Sequence, residues 1–336
     1  MTTLTLAKAI NAGLRKALAG DDRVVLMGED IGSLGGVYRV TDGLQTEFGP
    51  RRVMDSPLAE SGIVGTAVGM AYRGYRPVVE IQFDGFIYPA FDQIVSQVAR
   101  MHYRTAGAVT MPITIRVPFA GGIGAAEHHS DSPEAYFAHA AGLRVVSPSD
   151  PEDAYTLIQQ AIASDDPVLY FEPKRRYHVK GEVDEAVPLA DARPMGTARV
   201  LVPGTDVTLV TYGGLVQVAR DAAVAAGDDG ISVEVIDLRS LSPLDLDTVI
   251  ASVRKTGRLV VTHEAPLSGG LGAEVAAAIT ERCFLFLEHA PVRVTGQDIP
   301  YPAAKLEGAH LPDLDRLLDG IDRALDRPNS LTGVED

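Results

Sequence analysis

Five short runs rich in β-branched residues punctuate the first half of the chain: "RVVLMG" at 23–28, "RPVVEIQF" at 76–83, "MPITIRV" at 111–117, "LRVVSP" at 143–148 and "PVLYFEP" at 167–173. They lack the polar-apolar alternation of a half-exposed sheet, and helix-like or glycine-rich segments separate them. That pattern predicts an α/β fold, a buried parallel sheet with helices on both faces. Leu6, Ile10, Leu14 and Leu18 recur every four residues behind Thr5, which predicts an amphipathic opening helix with a threonine N-cap. A second series, "DVTLVTYG" at 206–213, "ISVEVIDL" at 231–238, "GRLVVTHE" at 257–264 and "PVRVTG" at 291–296, predicts a smaller α/β unit, with helices near 214–227 and 272–282. Between the series lies a charged, proline-bearing stretch. The expected organisation is a domain over 1–185, a linker over 186–204 and a second domain over 205–336. A length of 336 residues, 46% of them hydrophobic, supports two cores.

Charge narrows the partners. With 45 acidic against 30 basic residues the formal charge is −15, which repels a polyphosphate backbone, so no nucleic-acid partner is expected. No stretch approaches the roughly 18 apolar residues a membrane span needs, and the N-terminus lacks a signal-peptide pattern, so neither membrane insertion nor secretion is expected. Cys283 has no second cysteine to pair with and sits beside Phe284, Leu285 and Phe286. A buried thiol in a reducing cytoplasm is the expectation.

Three glycine-rich turns invite a phosphate-loop reading: "GSLGG" at 32–36, "GGIGAAEHH" at 121–129 and "SGGLGAEVAAAI" at 268–279. None completes the dinucleotide fingerprint, because Glu127 and Val275 stand where a small residue is required. Glycines at strand-to-helix turns explain the first and third. The histidines His128, His129 and His139 do not follow a zinc spacing. The cluster from Glu127 to Ser132 precedes a helix expected near Pro133, and two readings stand: capping groups, or a catalytic constellation. Glu60 is also double-edged. An acid in a first helical turn gains about 0.3–1 kcal/mol from the macrodipole. Yet Glu60 is embedded between Pro57-Leu58 and Ile63-Val64, and a carboxylate in apolar surroundings needs a partner.

The ordered landmarks "VVLMGEDIGSLGGVYRVTDGL", "DSPLAESGIVGTAVGMAYRG", "EIQFDGFIYPAFDQIV", "HHSDSPEAYFAHAAGLRVVSPSDPEDA", "DPVLYFEPKRRY", "GTDVTLVTYG", "EVIDLRSLSPLDLDT" and "TGRLVVTHEAP" run along almost the whole chain. Together they resemble the beta subunit of the thiamine-diphosphate-dependent decarboxylase component of 2-oxo acid dehydrogenase complexes. "IQF" followed by "PAFDQIV", the "HSDSPEAYFAH" run and "FEPK" are more similar to the branched-chain enzyme than to the pyruvate enzyme. The resemblance implies a pyrimidine-binding thiamine diphosphate domain followed by a transketolase C-terminal-like domain. It implies that Glu60 shares a proton with the aminopyrimidine, that Phe86 packs on that ring where the branched-chain enzymes tend to carry Tyr, and that Leu58 and Gln82 line the pocket. His129 would work near the substrate and the incoming lipoyl group, with His128 as the alternative. Potassium in relatives corresponds to Ile113, Ala161, Ile162, Ser164 and Asp166, where Ser164 replaces an acid and Asp166 an amide.

The Gly-Asp-Gly…Asn signature that carries Mg²⁺ and the diphosphate is absent, since Gly227-Asp228-Asp229-Gly230 does not match it. A separate alpha subunit would therefore bring the metal, in an α₂β₂ tetramer that serves the lipoyl domain of a dihydrolipoyl acyltransferase core. The expected activity is oxidative decarboxylation of a branched-chain 2-oxo acid of the 3-methyl-2-oxobutanoate type, with pyruvate and acetoin as alternatives. Two rivals of other classes are a nicotinamide-dependent oxidoreductase, disfavoured by the missing fingerprint, and a non-catalytic assembly subunit, for which Glu60 would be dispensable.

Overall fold

The computed structural model describes residues 1–327. They divide into two compact units: Met1–Ala120 with His128–Met195, and Gly121–Glu127 with the chain from Gly196 onward. The chain thus passes to the second unit at Met195/Gly196, inside the charged stretch, and the glycine-rich segment 121–127 groups with the second unit.

The first unit contains β1 (Thr2–Thr5), α1 (Leu6–Gly20), β2 (Val24–Gly28), β3 (Val53–Asp55), α2 (Glu60–Tyr72), β4 (Arg76–Glu80), β5 (Thr114–Phe119), β6 (Arg144–Val146), α3 (Pro151–Ala163), β7 (Val168–Pro173) and β8 (Lys180–Val183). Six of these strands form a parallel sheet in the order β6-β7-β5-β4-β2-β3. Every residue of β2, β5 and β7 is buried, which is why their sequences read as continuous apolar-rich runs. Helix α1 starts as its sequence predicts: the Thr5 side chain accepts from the Lys8 amide at 3.3 Å. Leu6, Ile10, Leu14 and Leu18 are all buried in the core it shares with α3, and each contributes about 1.5–3 kcal/mol by leaving water. The two helices approach closely at Gly13, where a Cβ would meet the Ile158 side chain and lie 2.9 Å from the Tyr155 carbonyl oxygen.

The structure adds elements that the sequence pattern does not announce. β1 and β8 form an antiparallel ribbon with Thr2 opposite Val183. Lys180 and Glu182 face solvent, so β8 carries no β-branched run and reads as part of the charged stretch.

The second unit contains β9 (Arg199–Val202), β10 (Val207–Thr211), α4 (Val216–Asp228), β11 (Val233–Asp237), α5 (Leu246–Thr256), β12 (Leu259–Pro266), α6 (Leu271–Cys283), β13 (Val292–Gly296) and α7 (Leu314–Ala324). Its sheet runs β13-β12-β10-β11-β9, parallel except for the antiparallel edge strand β9. Side chains of Asp245 and Asp313 cap α5 and α7, accepting from Thr248 N at 3.1 Å and Arg316 N at 2.9 Å. Val207, Leu209, Val235, Val260, Leu317 and Ile321 form the core, and Cys283 is buried. Among the described residues no helix is long and apolar enough to cross a membrane.

Candidate active site

In parallel α/β sheets, ligands bind beyond the carboxyl ends of the strands. In the first unit, β2 delivers Glu29 at that edge, β3 leads to Leu58 and Glu60, and β4 leads to Gln82 and Phe86. Glu60 is the first residue of α2 and only 8% exposed, and Ala59 before it offers no side-chain cap. Among the described residues no hydrogen bond or ion pair reaches the Glu60 carboxylate. Burial, then the charges of Asp30 and Glu60, hold the Glu29 carboxyl above its usual range. Gln82 donates to the Glu29 carbonyl at 2.6 Å and reaches the Glu80 carboxylate at 3.5 Å, fixing its position between two strand ends.

Phe86 closes a single 3₁₀ turn, Asp84–Phe86, and His128 and His129 lie in another, Glu127–His129. The Phe86 ring meets His129 edge-on at 5.5 Å between centroids and stacks near His128 at 6.1 Å. Phe83 packs on His129 at 4.5 Å. The structure therefore gathers Phe86 and both histidines. His129 is half-buried, whereas His128 is exposed. Burial, and then the charges of Lys174 and His128, lower the His129 pKa below the ordinary imidazole value. A neutral ring at neutral pH can accept a proton. Leu58 is 71% exposed on the loop before Glu60.

Three comparisons with known proteins bear on this geometry. Residues 2–180 match the family described as "Transketolase, pyrimidine binding domain", and residues 196–317 match "Transketolase, C-terminal domain". A "Pyruvate dehydrogenase E1 component subunit beta" of Leifsonia xyli subsp. xyli is 58% identical over 96% of this chain and 95% of its own length. A "3-methyl-2-oxobutanoate dehydrogenase subunit beta" of Mycobacterium tuberculosis is 56% identical over 97% and 93%. The chain belongs to the beta-subunit family of the 2-oxo acid dehydrogenases. Among further beta subunits, a "2-oxoisovalerate dehydrogenase subunit beta" of Pseudomonas aeruginosa is 46% identical over 93% of this chain and 92% of its own. A solved chain titled "Split gene transketolase, inactive beta4 tetramer" shares the two-domain fold, with a TM-score of 0.77 at 24% identity over 96% of this chain and 98% of that one.

Within this beta subunit, other residues at the site emerge only from the fold. Asp84 is completely buried, as is the Lys174 side chain that pairs with it, and the Asp84 carboxylate also accepts from the Asp131 amide. Tyr88 donates to the Asp131 carboxylate at 2.7 Å. Arg116 sits at the centre of the sheet, donating to Glu80 at 2.6 Å and to Glu172 at 2.6 and 3.0 Å, and the Tyr177 hydroxyl donates to Glu172 at 2.5 Å. Asp84 and Lys174 are 90 positions apart in sequence, so no local spacing couples them. The one local signal is an acid inside the apolar run of "IQFDGFI".

Of the positions expected to hold potassium, Ile113 lies just before β5, and Ala161, Ile162, Ser164 and Asp166 lie at the end of α3 and in the turn into β7. The Ile113 carbonyl accepts from Val168 N at 2.9 Å, the Ala161 carbonyl from Ser164 N at 3.3 Å, and the Ile162 carbonyl from Arg76 at 3.1 Å. Ser164 Oγ accepts from Asp166 N at 3.1 Å, and the Asp166 carboxylate pairs with Arg144 at 3.0 Å.

Proposed function

We propose that this beta subunit completes, with an alpha subunit, an enzyme that decarboxylates a branched-chain 2-oxo acid of the 3-methyl-2-oxobutanoate type and passes the acyl group to a lipoyl domain. The observation that carries the reading is Glu60, only 8% exposed at the start of α2, whose carboxylate has no hydrogen-bonding or ionic partner among the described residues. A carboxylate left open at a largely enclosed position is available to a ligand, and a protonated ring nitrogen of thiamine diphosphate would pair with it. When bound, thiamine diphosphate supplies a nucleophilic thiazolium carbon that acts as an electron sink. Glu60, the first residue of α2, would share the proton at the pyrimidine N1′ position. Phe86 and Leu58 provide apolar walls, and Gln82, fixed between Glu29 and Glu80, provides a polar one. His129 accepts or returns a proton during acyl transfer, which its lowered pKa favours.

The exposure of Leu58 supports a site covered by another chain. In the proposed α₂β₂ tetramer the alpha subunit brings Mg²⁺ and holds the diphosphate, and the tetramer docks on a dihydrolipoyl acyltransferase core in the cytoplasm. Potassium belongs to the same reading: the Ile113, Ala161 and Ile162 carbonyls each retain a second lone pair for a cation, alongside Ser164 and Asp166. Pyruvate is the second substrate reading, favoured by the name of the Leifsonia relative.

Glu60→Gln, co-expressed with the alpha chain, should leave the tetramer intact and lower dye-linked decarboxylation by roughly 10²–10⁴-fold. Full activity in that variant would overturn the reading and favour an assembly subunit. Rates of the unsubstituted complex with 3-methyl-2-oxobutanoate, pyruvate and acetoin decide the substrate.

A further inference from the structure

The turn from Phe83 to Tyr88 does two jobs. One is to present Phe86. The other involves the backbone that carries the histidines. Asp84 accepts a hydrogen bond from the Asp131 amide, two residues after His129, and Tyr88 binds the side chain of the same Asp131. Gly85 lies so close to His128 that a Cβ there would sit 2.5 Å from the His128 carbonyl oxygen and 2.7 Å from its Cα. Asp84 is held in turn by Lys174, which follows β7 and lies 5.7 Å from the centre of the Phe83 ring that packs on His129. The histidine segment is therefore fastened on both sides of His129 to one rigid turn.

We propose that Asp84, oriented by Lys174, is a positioning residue that sets His129 against Phe86 for the acyl-transfer half of the reaction. This rests on the functional reading given above, in which His129 serves acyl transfer. A carboxylate suits the task because its two oxygens can face different donors, one an ammonium and the other a backbone amide. Burying both charges together avoids leaving either unpaired. The hydrogen bond that the Asp131 amide donates to Asp84 thus transmits a fixed sheet position, the end of β7, to a segment of irregular backbone. Precision of this kind matters because displacing a reacting group by about 1 Å can cost about 10²-fold in rate.

The test uses double variants in the complete alpha-beta complex, so that no buried charge is left alone. Asp84→Leu with Lys174→Met fills the space and removes the acceptor for Asp131. Asp84→Asn with Lys174→Met removes the same charges but keeps an oxygen for that amide. Two rates are measured with 3-methyl-2-oxobutanoate: dye-linked decarboxylation, and reductive acylation of a free lipoylated domain. The leucine variant should lower the ratio of lipoyl-linked to dye-linked rate by about 10–10²-fold, in kcat rather than in KM for the domain. The asparagine variant should restore that ratio to within about threefold of the original, well inside the loss expected from misplacement. An unchanged ratio in a folded leucine variant, a parallel loss of both rates, or no rescue by asparagine would overturn the positioning role. His129→Ala is run beside them. If it leaves lipoyl-linked transfer intact, the functional reading of His129 fails; if it lowers transfer while the leucine variant does not, only the role of Asp84 fails.

Discussion

The two sheets are built on the same parallel plan, yet their centres are chemically different. On β5, Arg116 is 1% exposed and is clamped between Glu80 on β4 and Glu172 on β7. On β10, Thr208 is equally inaccessible, but among the described residues its hydroxyl meets those of Ser252 and Thr256, each at 2.7 Å. The first sheet thus holds an ionic layer, and Gln82 connects that layer to the main chain of Glu29 at the candidate site. The second carries a chain of hydroxyls that ends on the carboxylate of Glu234, the register partner of Thr208, which pairs with the half-exposed Lys255. Buried charges give no general gain in stability over apolar packing, but they fix geometry where removing one partner is severely penalised. The ionic layer lies in the unit that carries Glu60, Phe86 and His129.

The largest expected effect breaks the comparison directly. Arg116→Met leaves Glu80 and Glu172 buried without their cation, and should destabilise the first unit by about 3–5 kcal/mol. If urea denaturation shows a cost no larger than for Thr208→Val, the contrast between the layers is wrong. Acid provides the next test, this time in the second unit. His263 is buried with Nδ1 3.0 Å from the Ala265 carbonyl oxygen, and burial depresses its pKa from 6.5 to about 4. The unfolded chain therefore binds a proton more readily than the folded one within that window. This residue's contribution is intact above about pH 6.5 and is lost as pH falls toward about 4. In melts across that range, His263→Phe should flatten the part of the slope that belongs to the second unit; an unaltered slope would rule out this assignment.

Two glycines sharpen the comparison at the level of packing. Alanine at Gly13 would press on the Ile158 side chain and the Tyr155 carbonyl oxygen of α3, whereas alanine at Gly320 would meet only side chains, the nearest being Val294 at 2.5 Å. Backbone yields less readily than a side chain. Both positions are helical and gain about 1 kcal/mol of propensity, so the difference lies in the obstacle: Gly13→Ala should cost about 1–3 kcal/mol, and Gly320→Ala less. Reversal of that order in thermal melts would count against the packing argument. Thr208→Val removes one hydroxyl from the chain that ends on Glu234 and should cost only about 1 kcal/mol.

Which features were legible follows from the same physics. Val24–Gly28 and Val168–Pro173 are buried on both faces, so burial writes a continuous run into the sequence. β8 exposes Lys180 and Glu182 and so reads as part of the charged stretch, whereas β9 is a four-residue antiparallel edge strand with Val200 exposed, too short to stand out beside that stretch. Glu60 is conspicuous because a charge beside Leu58, Ile63 and Val64 violates local pattern. Its family resemblance supplied a proposed task for that anomaly. Asp84 and Lys174 satisfy each other across the fold, and such a pair leaves no periodic trace.

The segment Gly121–Glu127 has a consequence for how the gene can be cut. Its amides are embedded in the second unit: Glu264 accepts from Gly121 N at 2.9 Å, and Glu307 from Gly122 N at 2.8 Å and Gly124 N at 3.1 Å. A fragment starting at Gly196 would lack those donors and leave both carboxylates to find new ones. The two units are therefore interleaved rather than strung in series, so a single break in the connecting stretch cannot yield two self-sufficient modules.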